Sequence, residues 1–404
     1  MRSHPLTECR LCGSANLDEV LSFPDSPPGD LYRIEKENAL KLPRFPLGCN
    51  LCTDCGHVQL NYFVDPEIIY SEYIYVTSDS VGLDQHFQNY ANDLISYLGP
   101  NAPKTILEIG CNDGTLLEKL CKAGHEGIGM DPAEYPLSIA ASKGLTVIQD
   151  YFSAESSSKV KSSHGAMDVI IANNVLANVE NLNQVFTCFR ELISSEGVIV
   201  FETGYLEHIV LKKVIDNIHH EHIDYFSVKP LINFLEKFGF YIDRVVINES
   251  KGSSIRVFAK VGPSIFTSAN VLAIASNEVS KGFFEKRLYS ELNLEIQEES
   301  IRIKTFVNNA RALGQQIVGY GAAIGSTTLI LTLKLENEID YLVDDNPRRE
   351  GHYSPGIGIL VDSVTRIDKA DTAVIVLAWR YESSILPKLS KLSTVKSVTS
   401  VWSK

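Results

Sequence analysis

The sequence predicts an α/β protein of three units, a small cysteine-bearing N-terminal domain followed by two doubly wound, Rossmann-like domains. Three observations carry that reading. From about residue 101 onward, apolar strand-like runs alternate with amphipathic helical runs, the pattern of a mostly parallel sheet covered by helices. Two of those runs are followed at once by glycines, in LEIGCNDGTLL and IVGYGAAIGS. Cys9, Cys12, Cys52 and Cys55 form two CxxC pairs in a stretch rich in Pro and Gly. A chain of 404 residues holds two or three domains at roughly 100 to 200 residues each. The expected boundaries are 1–76, 77–263 and 264–404.

The N-terminal stretch contains SFPDSPPGD and LPRFPLGC, too loop-rich to build a large core, so something else has to hold it. Each CxxC pair is followed by a glycine, Gly13 and Gly56. Four soft thiolates on two such knuckles make the preferred tetrahedral environment of structural zinc. Cys49 is a competitor for one ligand place. A site closed by four thiolates stabilises a fold and leaves no position for an activated water. The start of the chain carries no apolar leader, so a reducing cytoplasm is the expected compartment and the eight cysteines are not expected to pair as disulfides.

The next strands are KTILEIG, GIGM, TVI, MDVIIAN and EGVIVFE, with SIRVFAKV closing the unit near Pro263. Glu108 ends the first strand just before Gly110, and Asp113 and Gly114 stand where the helix begins. Glycines at that place let the backbone approach a ligand, and a helix N-terminus adds free N–H groups. The full GxGxxG is missing, so a dinucleotide fits poorly. Asp131, roughly 20 residues beyond Gly110, is where a carboxylate meets ribose hydroxyls. Residues 270–312 read as one or two connecting helices, and QIVGYG, IDYLV and TAVIVLAW as the strands of the last unit. The run without charge between Arg311 and Lys334 is broken by Gly314, Gly319, Gly321 and Gly325, so no membrane span is expected.

The pattern ExGxxxG with its following aspartate resembles the class I S-adenosylmethionine (SAM) methyltransferases. The segment NIHHEHIDYFS sharpens the likeness. It resembles the signature of the sugar-nucleotide C-methyltransferases, in which Tyr-His-Glu-His is followed by Tyr-Phe-Ser; here stand His219, His220, Glu221 and His222, then Tyr225, Phe226 and Ser227. CTDCGHVQL, the Tyr73, Tyr75, Ser78 and Ser80 segment, GYGAAIGSTTLI, VDDNP and YSPGIGI agree with the same family in the same order.

The resemblance implies a class I SAM methyltransferase domain flanked by a zinc-binding domain and a C-terminal Rossmann-like domain. It further implies C-methylation of a nucleotide-linked 4-keto-6-deoxysugar through an enolate. His222 would be the base, Glu221 would orient it, and Tyr75 would bond the carbonyl oxygen, with His219 and Asn178 completing the catalytic set. Glu108, Gly110, Asn112, Asp113, Gly114, Asp131 and Asn173 would hold the methyl donor. Tyr73, His220, Tyr225, Tyr320, Gly321, His352 and Tyr353 would face the substrate, Tyr320 and Gly321 at its diphosphate. Three positions depart from the family pattern: His219 replaces a tyrosine, Asn178 a histidine and Gly325 a lysine. O-methylation of a related sugar nucleotide therefore stays open.

Two other readings compete. IVGYGAAIGS, with Asp344 at the end of the next strand, taken alone suggests an NAD-linked sugar-nucleotide oxidoreductase. A docking module built on a degenerate methyltransferase is the reading without an activity. With 37 Lys and Arg against 50 Asp and Glu, a net charge of -13 argues against nucleic acid or an anionic membrane as partner. The sequence leaves monomer or dimer undecided.

Overall fold

The computed structural model describes residues 3–69, 76–79, 82–100, 103–250 and 254–402. Tyr73, Tyr75 and Ser80 lie outside the described residues. Within them, the strands form four sheets.

The N-terminal unit contains β1 (His4–Pro5), β2 (Leu17–Ser26), β3 (Phe45–Cys52), β4 (Val58–Leu60) and β5 (Tyr62–Phe63). Strands β2, β3 and β4 run antiparallel, burying Leu21, Phe23, Leu47, Cys49, Leu51 and Leu60. β1 pairs with β5.

The central unit opens with a helix, Leu83–Leu98, whose buried Leu83, Phe87, Tyr90, Ala91 and Leu94 recur at helical spacing. Then come β6 (Thr105–Ile109), β7 (Glu126–Met130), β8 (Thr146–Ile148), β9 (Met167–Asn173) and β10 (Ile193–Gly204). β11 (Asp224–Tyr225) leaves this sheet, which β12 (Phe240–Asn248) and β13 (Ser254–Val261) complete. The seven strands lie in the order β12-β13-β10-β9-β6-β7-β8, parallel from β8 to β10, with β13 antiparallel to both its neighbours. Val169, Ile170, Ile171 and Ala172 of β9 are all buried, as expected of a parallel strand covered on both faces.

The order reverses between β6 and β9, so the carboxyl ends of these two strands form the crevice where such sheets bind ligands.

Two helices, Ala269–Ser280 and Lys286–Ala312, lead to the last sheet. Its strands β14 (Gln316–Tyr320), β15 (Tyr341–Val343), β16 (Val361–Asp362), β17 (Thr372–Val376) and β18 (Val395–Ser400) are all parallel, in the order β16-β15-β14-β17-β18. Among the described residues, no helix is long and apolar enough to cross a membrane.

The N-terminal and central units interlock through β11, which pairs with β4 and becomes the fourth strand of the N-terminal sheet. The segment that carries His219–His222 thus belongs in sequence to the central unit and in hydrogen bonding to the N-terminal one.

Candidate active site and metal centre

The two knuckles fold alike. Gly13 and Gly56 sit at φ +79° and +85°, and each donates its N–H to the carbonyl of the first cysteine of its pair, Cys9 and Cys52. A left-handed residue at that place is cheap only for glycine. The four sulfurs lie within 4.8 Å of one another, with Cys9–Cys55 and Cys12–Cys52 at 3.5 Å. A tetrahedron of thiolates about 2.3 Å from zinc needs sulfurs roughly 3.8 Å apart, so the cluster fits the ion. The Cys55 thiol beside it holds Cys9 well below the ordinary thiol range. Cys49 is excluded as a ligand: it is buried in β3 among Leu21 and Leu60, and burial pushes its thiol up.

The candidate donor crevice is built by the turn after β6. Gly110 and Gly114 have φ of +66° and +71°, and a Cβ at Gly110 would stand 2.4 Å from Val175 Cγ2. The Asp131 carboxylate braces the turn, accepting the N–H groups of Asn112 and Ala133, both at 2.9 Å. Asp113 points back into the turn, where its carboxylate accepts from Thr115 Oγ1 at 2.6 Å and from the Ser78 amide at 3.2 Å. It therefore organises the helix start from within. Asn112 Oδ1 accepts the Thr77 amide at 2.8 Å, so residues just beyond the Tyr73–Tyr75 segment rest on the donor turn.

Among the described residues, two buried polar atoms at this edge, Glu108 Oε2 and Asn173 Nδ2, have no hydrogen-bond partner. Burial, together with Asp113 and Asp131 nearby, pushes the Glu108 carboxyl up to about 8. A carboxyl so placed suits a cationic ligand, whose charge restores its ionised form. The residues thus fit SAM, with its sulfonium and ammonium groups.

The histidine segment is a tight turn, with the His222 amide bonded to the His219 carbonyl at 3.0 Å. His222 Nδ1 lies 3.1 Å from the Asn217 carbonyl oxygen. A carbonyl only accepts, so Nδ1 carries the hydrogen and Nε2 of the neutral ring keeps its lone pair. The His219 ring lies against that of His222, centroids 4.1 Å apart. The Ile223 amide bonds to Ala177 O at 2.7 Å, which brings the Asn178 loop beside His222. Glu221 is half-buried on the same turn.

Several residues expected at the substrate are engaged elsewhere. His220 turns into the N-terminal unit, where Nε2 meets Pro46 O at 3.1 Å and Phe45 stands edge-on; burial lowers its pKa to about 4. Tyr225 lies in β11 opposite Val58, inside the core shared with that unit. Tyr320 is buried and its hydroxyl donates to Asp345 at 3.0 Å. The N–H of Gly321 bonds to Val343 O at 2.8 Å, so neither Tyr320 nor Gly321 offers a free group to a diphosphate. Tyr353 exchanges backbone bonds with Arg33, while His352 is half-exposed.

The second glycine turn repeats the brace of the first: Asp344 accepts the N–H groups of Ala322 at 2.6 Å and Asn346 at 2.8 Å. Its helix, Ile324–Thr332, starts against other parts of the protein, however. A Cβ at Gly325 would stand 2.4 Å from Asp216 O, and one at Gly29 would meet Ile324 at 2.4 Å. A dinucleotide pyrophosphate sits at that helix start in Rossmann domains, so this packing takes away the basis of the NAD-linked reading. It also leaves no room for a side chain at Gly325.

Sequence reasoning missed a buried network at the end of β10. Glu202 accepts from Arg256 Nη2 at 2.8 Å and pairs with His86 Nε2 at 2.7 Å, and the Arg256 guanidinium lies 3.4 Å over the Tyr90 ring. Tyr90 donates in turn to Asn173 Oδ1 at 3.1 Å. The signal was available, since Glu202 closes an apolar strand at the carboxyl edge just as Glu108 does.

Comparison with known proteins agrees with this geometry. A "Methyltransferase domain" family matches residues 83–245 and a "C-methyltransferase C-terminal domain" family residues 249–399, after a "Putative zinc binding domain" at 9–70. The chain is 27% identical to "C-methyltransferase NovU" of Streptomyces niveus over 391 residues, covering 95% of this chain and 92% of that one.

The chain is a SAM-dependent methyltransferase. It is homologous to a C-methyltransferase along nearly its whole length. This methyltransferase is also 27% identical to a ubiquinone biosynthesis O-methyltransferase of Colwellia psychrerythraea, over 33% of this chain and 59% of that relative. Among solved structures, magnesium protoporphyrin IX methyltransferase of Synechocystis PCC 6803 with bound SAH covers 48% of this methyltransferase and 91% of its own chain, at 18% identity and a TM-score of 0.36.

Proposed function

We propose that this enzyme transfers the methyl group of SAM to a carbon beside the carbonyl of a nucleotide-linked 4-keto-6-deoxysugar. One observation carries the reading: the bond from His222 Nδ1 to Asn217 O leaves Nε2 as a proton acceptor, on a turn beside the Asn178 loop that follows β9. A neutral imidazole is matched to removing a hydrogen made acidic by a neighbouring carbonyl.

His222 Nε2 takes that proton, and the C–H electron pair becomes the enolate. SAM supplies an electrophilic methyl group, whose bond to sulfur breaks as the new carbon–carbon bond forms. His222 then carries a second ring proton, on Nε2, and as an imidazolium passes it to water to return to the neutral ring. Asn178 and His219 border the reacting carbon in this reading, and Glu221 lies on the same turn to favour the charged ring. Tyr75 is kept as the partner of the enolate oxygen, with Tyr73 and His352 toward the rest of the substrate. Glu108, Asn112, Asp131 and Asn173 hold the donor. The resemblance of the histidine segment to the sugar-nucleotide family supports the substrate class.

The test is mass spectrometry of the enzyme with SAM and a panel of 4-keto sugar nucleotides. The expected product gains one methyl that survives reduction of the carbonyl. His222→Gln is expected to lose roughly 100- to 10,000-fold in turnover and to stop exchange of the substrate's α-hydrogen in heavy water, while binding SAM as the parent does. Full α-exchange in that variant, or a methyl found on oxygen, would overturn the reading.

A further inference from the structure

The turn that carries His222 is held at both ends by parts of the chain outside the methyltransferase domain. Asp224, two residues beyond His222, is fully buried. Its carboxylate accepts Arg10 Nε at 2.9 and 3.0 Å and pairs with His57 Nε2 at 2.8 Å. Arg10 lies between the metal ligands Cys9 and Cys12, and His57 follows Cys55 by two positions. The same guanidinium bonds to Val179 O and Glu180 O, in the loop that holds Asn178. The Leu60 amide adds a bond to Ile223 O at 2.8 Å.

At the other end the C-terminal domain grips the chain. Asp216 pairs with Arg380, and Trp379 Nε1 donates to it at 3.3 Å. Thr328 Oγ1 donates to Ile218 O at 3.1 Å, one residue before His219. Each end of the turn thus has a buried aspartate paired with an arginine from a different flanking domain.

We infer that Asp224 is a positioning residue, through which the metal-bearing knuckles set the place of the His222 ring and of the Asn178 loop. This rests on His222 being the base. Four thiolates gathered on one ion fix both knuckles, and with them the direction of the Arg10 side chain and the place of His57. Those two groups hold a carboxylate whose backbone leads directly into the reacting turn. Arg10 is suited to the task because its planar fork reaches Asp224 and two loop carbonyls at once, which a lysine ammonium does not reproduce. A displacement of about 1 Å at a reacting group costs on the order of 100-fold in rate.

The experiment compares Asp224→Asn and Arg10→Lys with the parent, all with zinc bound. Four quantities are read: zinc content, SAM affinity by calorimetry, kcat with KM, and the ring resonance of His222, identified as the one missing in His222→Gln. Both variants are expected to keep the metal and to bind SAM within about twofold of the parent. kcat should fall by roughly 100-fold with KM little changed, and the His222 resonance should shift. Combined, the two substitutions should cost little more than either alone, because they break one link. Stripping zinc from the parent should move the same resonance in the same direction.

A kcat within threefold of the parent with an unmoved resonance would overturn the inference, as would loss of zinc and SAM binding together with kcat. Should Asp224→Asn not fold, Arg10→Lys alone decides. Turnover retained in His222→Gln would remove the base assignment instead, and the resonance would still report whether Arg10 and Asp224 place the ring.

Discussion

The two glycine turns of this enzyme share a backbone device and differ in what surrounds it. Asp131 braces the turn after β6 and Asp344 the turn after β14, each by accepting two main-chain N–H groups. Around the first turn, the buried Glu108 Oε2 and Asn173 Nδ2 have no hydrogen-bond partner among the described residues, which suits a ligand that would complete them. At the second, the helix start packs on Asp216 O and on Gly29, so the same turn serves to join domains. A glycine pattern therefore reports how the backbone bends, and the elements packed against the helix start decide whether a ligand enters.

Substitution at the glycines should separate the turns most strongly. Gly110→Val places branched carbons at φ +66° and against Val175, and SAM affinity is expected to drop by more than about 100-fold in calorimetry, roughly 2.7 kcal/mol. Gly321→Val is equally strained, at φ +112° against Ala378, and should lower the melting temperature while folded molecules bind SAM normally. Equal loss of donor binding in the two variants would break the contrast.

A smaller effect is expected from the bracing carboxylates. Asp131→Asn should weaken SAM by roughly 10-fold, whereas Asp344→Asn should leave donor affinity unchanged and cost about 1 kcal/mol of stability, read by urea unfolding. Addition of NAD should stabilise neither variant nor parent; a clear rise in melting temperature with NAD would reopen the second turn as a ligand site.

The smallest effect sharpens the comparison through pH. Because the Glu108 carboxyl is raised to about 8, it is largely protonated at neutral pH, and SAM binding should release a proton and tighten as pH rises from 6 to about 9. Unfolding lets Glu108 ionise at its ordinary value, so its share of stability, full at acid pH, is lost as pH rises toward 8. In Glu108→Gln both slopes should vanish, the free protein should melt slightly higher at pH 8, and SAM should bind more weakly. Calorimetry in buffers of different ionisation enthalpy would read the proton directly.

Much of this was legible in the sequence because it is local. CxxC knuckles, a glycine after an apolar strand and an aspartate at the end of the next strand are set by a few neighbouring residues, and all fall where spacing puts them. The histidine segment was visible as a motif, but its surroundings were not. His220 was expected at the substrate, yet the tight turn from His219 to His222 sends it into the N-terminal sheet against Phe45 and Pro46. Tyr225 went unrecognised as core because β11 pairs with β4, a contact that no local period foretells. Gly325 gave no sign in the sequence of the Asp216 carbonyl against it.

The borrowed strand also bears on how the chain is made. A ribosome releases the N-terminal unit first, with knuckles able to gather their metal while β4 still presents an open edge. The strand that closes this edge, and the aspartate that receives Arg10, arrive 214 positions later in synthesis. Until then Asp224, the carboxylate that Arg10 and His57 meet in the finished fold, has not been made, and an open edge invites pairing with other chains. Completion of the small domain thus waits on translation of most of the large one, and the turn that carries His222 forms only when the first and middle parts of the chain close on each other.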